Sequence, residues 1–371
     1  MISRAVETSE LDPVFENALR RAIDGDDLRQ PEIECLMQAK GDEFSMLIMA
    51  ADGLRRRTVG DTVTYVVNRN LNFTNVCDCR CAFCGFARNG EDPDAYLLST
   101  DRIREKVRQA REFGVTEICA QGGINPEVDL DYMLGVLETI REEMPDVHIH
   151  AFSPMEIDHA SGLSGVPVKE TLRVLMEGGL NSMPGTAAEI LVDEVRDTIC
   201  PNKISSDRWE DIVRTAHGLG LPTTSTMMYG TVESTYHRAS HLKRIREIQE
   251  RSGGFTEFVP LPFVHGNSPI SRIVPWKPSG IDDLRMIAVS RLVLGPVIPN
   301  IQVSWVKMGI KLAQIGLACG ANDFGGTLIE ENISSCAGQT PGSLLKPREI
   351  ERLILELDRT PAQRSTTYEL L

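Results

Sequence analysis

The chain has 371 residues, 42% of them apolar and 25% charged, enough to fill one large α/β barrel or the cores of two ordinary domains. Its formal net charge of −14 opposes the phosphate attraction behind nucleic-acid binding, and no Lys/Arg run compensates locally, so no nucleic-acid partner is expected. No apolar run approaches the roughly 18 residues of a bilayer span, so no membrane partner is expected either.

The opening "MISRAVETSELDP" lacks the apolar stretch of a signal peptide, and a cytoplasmic location is expected. Residues 1–60 read as a helical N-terminal extension, with charged stretches such as "PVFENALRRAIDGDDL" and "EFSMLIMAADGLRRRTVG". Over residues 61–330, β-prone runs alternate with amphipathic helices, the rhythm of a parallel sheet with crossover helices. The runs are 62–73, 115–121, 147–153, 180–185, 223–230, 255–261, 301–306 and 322–326. Among the helices, "STDRIREKVRQAREFG" places Ile103, Val107, Ala110 and Phe113 on one face, and Gly114 ends it. "SDRWEDIVRTAHGLG" and "YHRASHLKRIREIQERSGG" behave alike.

Eight strand–helix units predict an α/β fold of the (β/α)8 TIM-barrel type. An open doubly wound sheet is the alternative, because periodicity alone does not show closure. Residues 331–371 form a C-terminal helix and an extended tail. Barrel active sites gather at the C-terminal strand ends, where this reading puts the loops "AQGG", "FSPME", "NSMPG", "MMYGTVES", "PLPFVHG" and "GANDFGG". Gly- and Pro-rich loops are also ordinary turn chemistry.

The first strand runs directly into "NFTNVCDCRCAFCGF" (72–86), which holds four of the nine cysteines: Cys77, Cys79, Cys81 and Cys84. An odd, clustered set without an export signal points to metal or redox chemistry, not to disulfides. A structural zinc site needs a second cysteine pair, and Cys119, Cys200, Cys319 and Cys336 are single. A redox dithiol would use Cys81 and Cys84 and leave Cys77 and Cys79 unexplained. A ferredoxin-type cluster wants four thiolates at other spacings. The C-x3-C-x2-C set of Cys77, Cys81 and Cys84 fits a [4Fe–4S] cluster with three irons held. The fourth iron is then open to a chelating ligand, which radical chemistry on S-adenosylmethionine requires. Cys79 reads as a spare thiol, and a Cys79→Ser protein is expected to keep its iron and activity. His148 and His150 alternate on one strand, but no third ligand is apparent to make them a metal site.

The loop resembles the radical S-adenosylmethionine superfamily, in particular the branch that makes deazaflavin and menaquinone precursors. "GLNSMPGTAAEILVDEVRDTICPNKIS", "GFTEFVPLPFVH" and "ANDFGGTLIEENISSCAG" are similar to the family of tyrosine-cleaving FO synthase subunits. The likeness runs from about residue 10 to the closing "RSTTYELL". It implies a [4Fe–4S] cluster and S-adenosylmethionine as cofactors. With the cysteines as metal ligands, Phe83 and the Gln121–Gly122–Gly123 turn are implied to bind the cofactor, glycine allowing backbone to come close. Glu156 and Ser182 are candidate contacts to its methionine or ribose. Tyr229, Glu233, Glu257, His265, Asn322 and Asp323 are taken as later strand-end residues near the substrates.

By resemblance, those substrates are L-tyrosine and 5-amino-6-(D-ribitylamino)uracil. A deoxyadenosyl radical would break the tyrosine Cα–Cβ bond, release 2-iminoacetate and pass a 4-hydroxybenzyl radical to the uracil. The implied partners are an external one-electron donor and a ring-closing FO synthase subunit. A related radical enzyme of menaquinone (futalosine) synthesis and a plain iron–sulfur electron carrier are the alternatives.

Overall fold

The structure, a computed structural model, describes residues 11–330, 332–336, 338 and 344–371. The first ten residues of the expected N-terminal extension, and residues 331, 337 and 339–343 of the expected C-terminal segment, lie outside it.

The strands are β1 (Thr62–Val66), β2 (Asn68–Leu71), β3 (Glu117–Ala120), β4 (His148–Ala151), β5 (Thr223–Tyr229), β6 (Phe255–Pro262), β7 (Asp323–Gly326) and β8 (Thr360–Gln363). All their ladders are parallel. β1 and β2 form one stave broken at Val67; β2 pairs with β3, and β3 with β4. His150 of β4 bridges to Ser182, and Met183 bridges to Thr223 of β5. Phe258 of β6 bridges to Ile301, Gln302 to Asp323, and β7 returns to β1 through Thr64 and Asp323. The sheet therefore closes on itself, and the fold is a (β/α)8 barrel. The staves at 180–185 and 301–306 shrink to two residues each. In the first, Pro184 has no N–H to continue a ladder; in the second, the chain turns into the helix Trp305–Met308.

The helices follow their patterns except at Phe113, expected on the buried face of its helix but exposed just past the helix end. Thr100–Glu112 buries Ile103, Val107 and Ala110 against the sheet, and Gly114 adopts φ +67° just beyond it. Ahead of the barrel stand α1 (Pro13–Asp24), α2 (Gln30–Met37) and α3 (Gly41–Val59). Asp12 caps α1 by accepting from Val14 N at 2.7 Å. α3 lies on the helix Gly280–Leu294 and α2 on Thr235–Ser252, so the extension thickens one side of the outer layer. Gly280–Leu294 is accordingly buried on nearly every face.

The tail is not a loose end. β3 begins level with Asn68, which leaves the lower half of β1 with a free edge. β8 fills it, pairing Thr62 with Thr360 through Tyr65 with Gln363. Arg364 then enters the N-terminal mouth of the barrel. Its guanidinium donates to Asp323 Oδ2 at 2.5 Å and Oδ1 at 3.1 Å, and to Glu257 Oε2 at 3.4 Å. Tyr368 donates to Glu257 beneath it, and Thr366 Oγ1 to Glu117 at 2.7 Å. Among the described residues no helix is long and apolar enough to cross a membrane.

Candidate active site

Above that floor, at the C-terminal strand ends, the cysteine loop leaves β2 and is tied down along its length. Cys77 N donates to Arg88 O at 3.1 Å, Asp78 N to Ile124 O at 2.9 Å and Ala82 N to Ile199 O at 2.8 Å. Arg88 Nη1 donates to three successive carbonyls, those of Gly85, Phe86 and Ala87. So held, Cys77, Cys81 and Cys84 line one cavity of about 300 Å³, and Cys79 lines it with them. Among the described residues no three His, Cys, Asp or Glu side chains converge as a single ion would need. The cysteines are instead spread around one void, and the C-x3-C-x2-C set among them suits a cluster touched at separate corners and not a lone zinc.

Cys79 is buried and donates from Sγ to Asn202 O at 3.6 Å, while Asn202 Nδ2 donates to Cys79 O at 3.2 Å. It therefore fastens two loops together. The neighbouring Cys79 holds the Cys77 thiol below the usual thiol range, against the opposing effect of burial.

Gln121, Gly122 and Gly123 line the same cavity, as does Phe83. The glycines answer to packing within the chain. A Cβ on Gly123 would stand 2.1 Å from Val76 O, and one on Gly122 would stand 2.4 Å from the Phe73 ring. Only glycine lets the turn after β3 lie flat on the cysteine loop. Glu156 also reaches the cavity, and it fastens the turn by accepting from Gly122 N at 2.9 Å and Ser153 N at 2.7 Å. Burial pushes its carboxyl up to about 7.

The other expected contacts are elsewhere. Ser182 bridges His148 Nε2 at 2.7 Å and His150 Nδ1 at 2.6 Å at the start of its stave, away from the cavity. Glu257 and Asp323 stand at the N-terminal ends of β6 and β7, bound by Arg364. Asn322 faces outward, accepting from Arg291 Nη2 at 2.6 Å and Ile301 N at 2.9 Å. Tyr229 alternates outward next to the cavity-lining Met228 and donates to Asp283 at 2.7 Å. Glu233 accepts from Gly230 N and Thr231 N and pairs with Arg238. His265 Nε2 meets Val274 O at 2.9 Å. All six substrate candidates are thus committed to bonds inside the fold.

Sequence reasoning passed over Glu189 and Lys203, an ion pair on the cavity wall. Both sit inside the "GTAAEIL" and "ICPNK" stretches that carried the resemblance, which was the available signal.

Comparison with known proteins agrees with this geometry. Residues 71–245 match the radical SAM superfamily and residues 252–371 the CofH/MqnC C-terminal region. The 5-amino-6-(D-ribitylamino)uracil–L-tyrosine 4-hydroxyphenyl transferase of Methanopyrus kandleri is 52% identical over 90% of each chain. That of Archaeoglobus fulgidus is 53% identical over 86% of this chain and 92% of its own. The chain belongs to this transferase family. Solved structures of HydG, a maturase of the [FeFe]-hydrogenase, and of methylornithine synthase share the fold. Their TM-scores are 0.74 and 0.71 at 16% and 17% identity, covering 94% and 93% of this chain and 76% and 97% of theirs. As a radical SAM transferase, the family works with a [4Fe–4S] cluster and S-adenosylmethionine. Three thiols around a void that also meets a Gly-Gly turn are a donor set that fits both.

Proposed function

We propose that this chain cleaves the Cα–Cβ bond of L-tyrosine and transfers the 4-hydroxybenzyl group to carbon 5 of 5-amino-6-(D-ribitylamino)uracil, releasing 2-iminoacetate, in deazaflavin synthesis. The observation that carries this reading is the 52% identity to a transferase so named, extending over 90% of both chains. When bound, the cluster and S-adenosylmethionine supply one electron and a carbon radical able to take a hydrogen atom from tyrosine.

The chain's own part is holding and excluding. Cys77, Cys81 and Cys84 would grip three corners of the cluster and leave the fourth to the ligand. The Gln121–Gly123 turn, braced by Glu156, would form one edge of the ligand's seat, and Phe83 another. Met155, Met228, Leu261 and Phe263 give the cavity an apolar wall that keeps water from a radical. Positioning of two substrates in line accounts for most of what remains. One electron enters to start each turnover and one leaves when the adduct forms, so an external one-electron donor is part of the proposal. A ring-closing FO synthase subunit would consume the product.

Anaerobic incubation of the reduced, reconstituted protein with both substrates tests this. Mass spectrometry should find the hydroxybenzyl adduct, and glyoxylate should accumulate as 2-iminoacetate hydrolyses. Cluster-loaded protein that leaves tyrosine untouched would overturn the reading.

A further inference from the structure

The segment 199–203 is a strap across the cysteine loop. Ile199 O accepts from Ala82 N at 2.8 Å, and Asn202 is bonded to Cys79 from both its side chain and its carbonyl. Lys203 follows at once, its N–H donating to Cys200 O at 3.0 Å, and its side chain reaches the cavity wall. There the ammonium lies 5.5 Å from the centroid of Phe83, between Cys81 and Cys84 in the chain, and pairs with Glu189. The side chains of Lys203 and Glu189 are only 14% and 13% exposed.

Several features show that this pair is built and not incidental. Glu189 is held at φ +46°, a left-handed conformation that disfavours residues with a Cβ. Buried Arg196 donates to Ala188 O at 2.6 Å and Ile204 O at 2.5 Å, fastening the chain beside both members of the pair. A buried cation beside thiolates acts through a low effective dielectric with little screening by salt.

We infer that Lys203 sets the reduction potential of the cluster held by Cys77, Cys81 and Cys84, with Glu189 fixing the ammonium in place and partly offsetting its charge. The inference rests on the proposed cluster ligands. The physical reason is that reduction adds one negative charge to the cluster, and a fixed cation nearby favours the reduced form; net charge and exposure are what tune such clusters.

The test uses anaerobically reconstituted full-length protein, with iron and sulfide assayed first and the potential then read by EPR-monitored redox titration. S-Adenosylmethionine is left out, so binding of that ligand does not enter the readout. Lys203→Met should lower the ratio of reduced to oxidised cluster at a fixed potential about tenfold, equal to ~59 mV for a one-electron couple. Lys203→Arg, which keeps the charge, should stay close to wild type. Glu189→Gln should shift the ratio the other way. Lys203→Met and Glu189→Gln both titrating with wild type would sink the inference while leaving the cluster ligands standing. If Lys203→Met does not hold a full cluster, Glu189→Gln decides: an unshifted or more negative potential overturns the inference. Wild-type protein without a cluster overturns the assignment beneath it.

Discussion

At the C-terminal mouth of the barrel, four cysteines line a void of about 300 Å³. At the N-terminal mouth, three buried carboxylates, Glu117, Glu257 and Asp323, face no void, because the chain's own tail has filled it. Asp323 alone takes two bonds from Arg364 and one from Thr64 Oγ1 at 2.5 Å. Arg364 in turn lies 4.0 Å from the ring centroid of Tyr368. Both mouths are rich in ionisable groups. One has spent them on itself, and the other keeps its sulfurs turned toward space. Consumption of a group by the fold, and not its chemical type, separates the seal from the site.

Changing a group at each mouth should break different things. The largest effect is expected at Cys81. Cys81→Ser should reduce bound iron and turnover to the level of cluster-free protein, while urea denaturation of the apo chain shifts by less than about 1 kcal/mol. Loss of folding stability comparable to that of a floor variant would make Cys81 part of the seal instead.

Arg364→Met reverses the pattern. It leaves Asp323 and Glu257 buried without their cation, at a cost of about 3–5 kcal/mol. Urea denaturation should show that loss, whereas iron per folded molecule should match wild type. A fully stable variant would mean that the floor is wet and the tail merely rests on it.

The floor should also carry a pH signature. Burial raises the Glu257 carboxyl to about 7 from a reference of 4.5, with Arg364 offsetting part of the shift. Between those values the unfolded chain has released a proton that the folded chain retains, so stability falls as pH rises. Relative to Glu257→Gln, wild-type protein should lose on the order of 2 kcal/mol from pH 4.5 to 7. The difference between their urea midpoints measures it, and a flat difference would place Glu257 in contact with solvent.

The barrel and the cysteine loop were legible because both are local in sequence. Strand and helix periods repeat within a few turns, and the three thiols fall within eight positions of one loop. The floor was not legible in the same way. Arg364 lies 41 residues from Asp323 and 107 from Glu257, and nothing near either acid announces its partner. Strand direction was also lost at short range: Asp323 opens a four-residue strand, so reading it as a strand-end residue moved it to the wrong mouth. Ser182 was misplaced likewise, since only the bridge to His150 sets its height in the barrel. Gly122 and Gly123 were legible as a tight turn, but their packing on Phe73 and Val76 was not, because such a turn looks alike whether ligand or chain lies against it.

Cys79 gives the smallest effect and the sharpest test of the contrast, since it stands at the open mouth yet is spent as the floor residues are. It is 2% exposed, and its thiol and carbonyl both engage Asn202. A serine in its place keeps a donor within reach of Asn202 O, but its shorter bond to oxygen leaves part of a hole shaped for sulfur unfilled. Cys79→Ser should therefore retain full iron while losing about 1 kcal/mol of stability. The cluster and the strap then respond separately, as fastener and ligand should. If Cys79→Ser sheds iron as Cys81→Ser is expected to, the loop holds its metal with a fourth sulfur, and the open corner on which the proposed chemistry depends is not there.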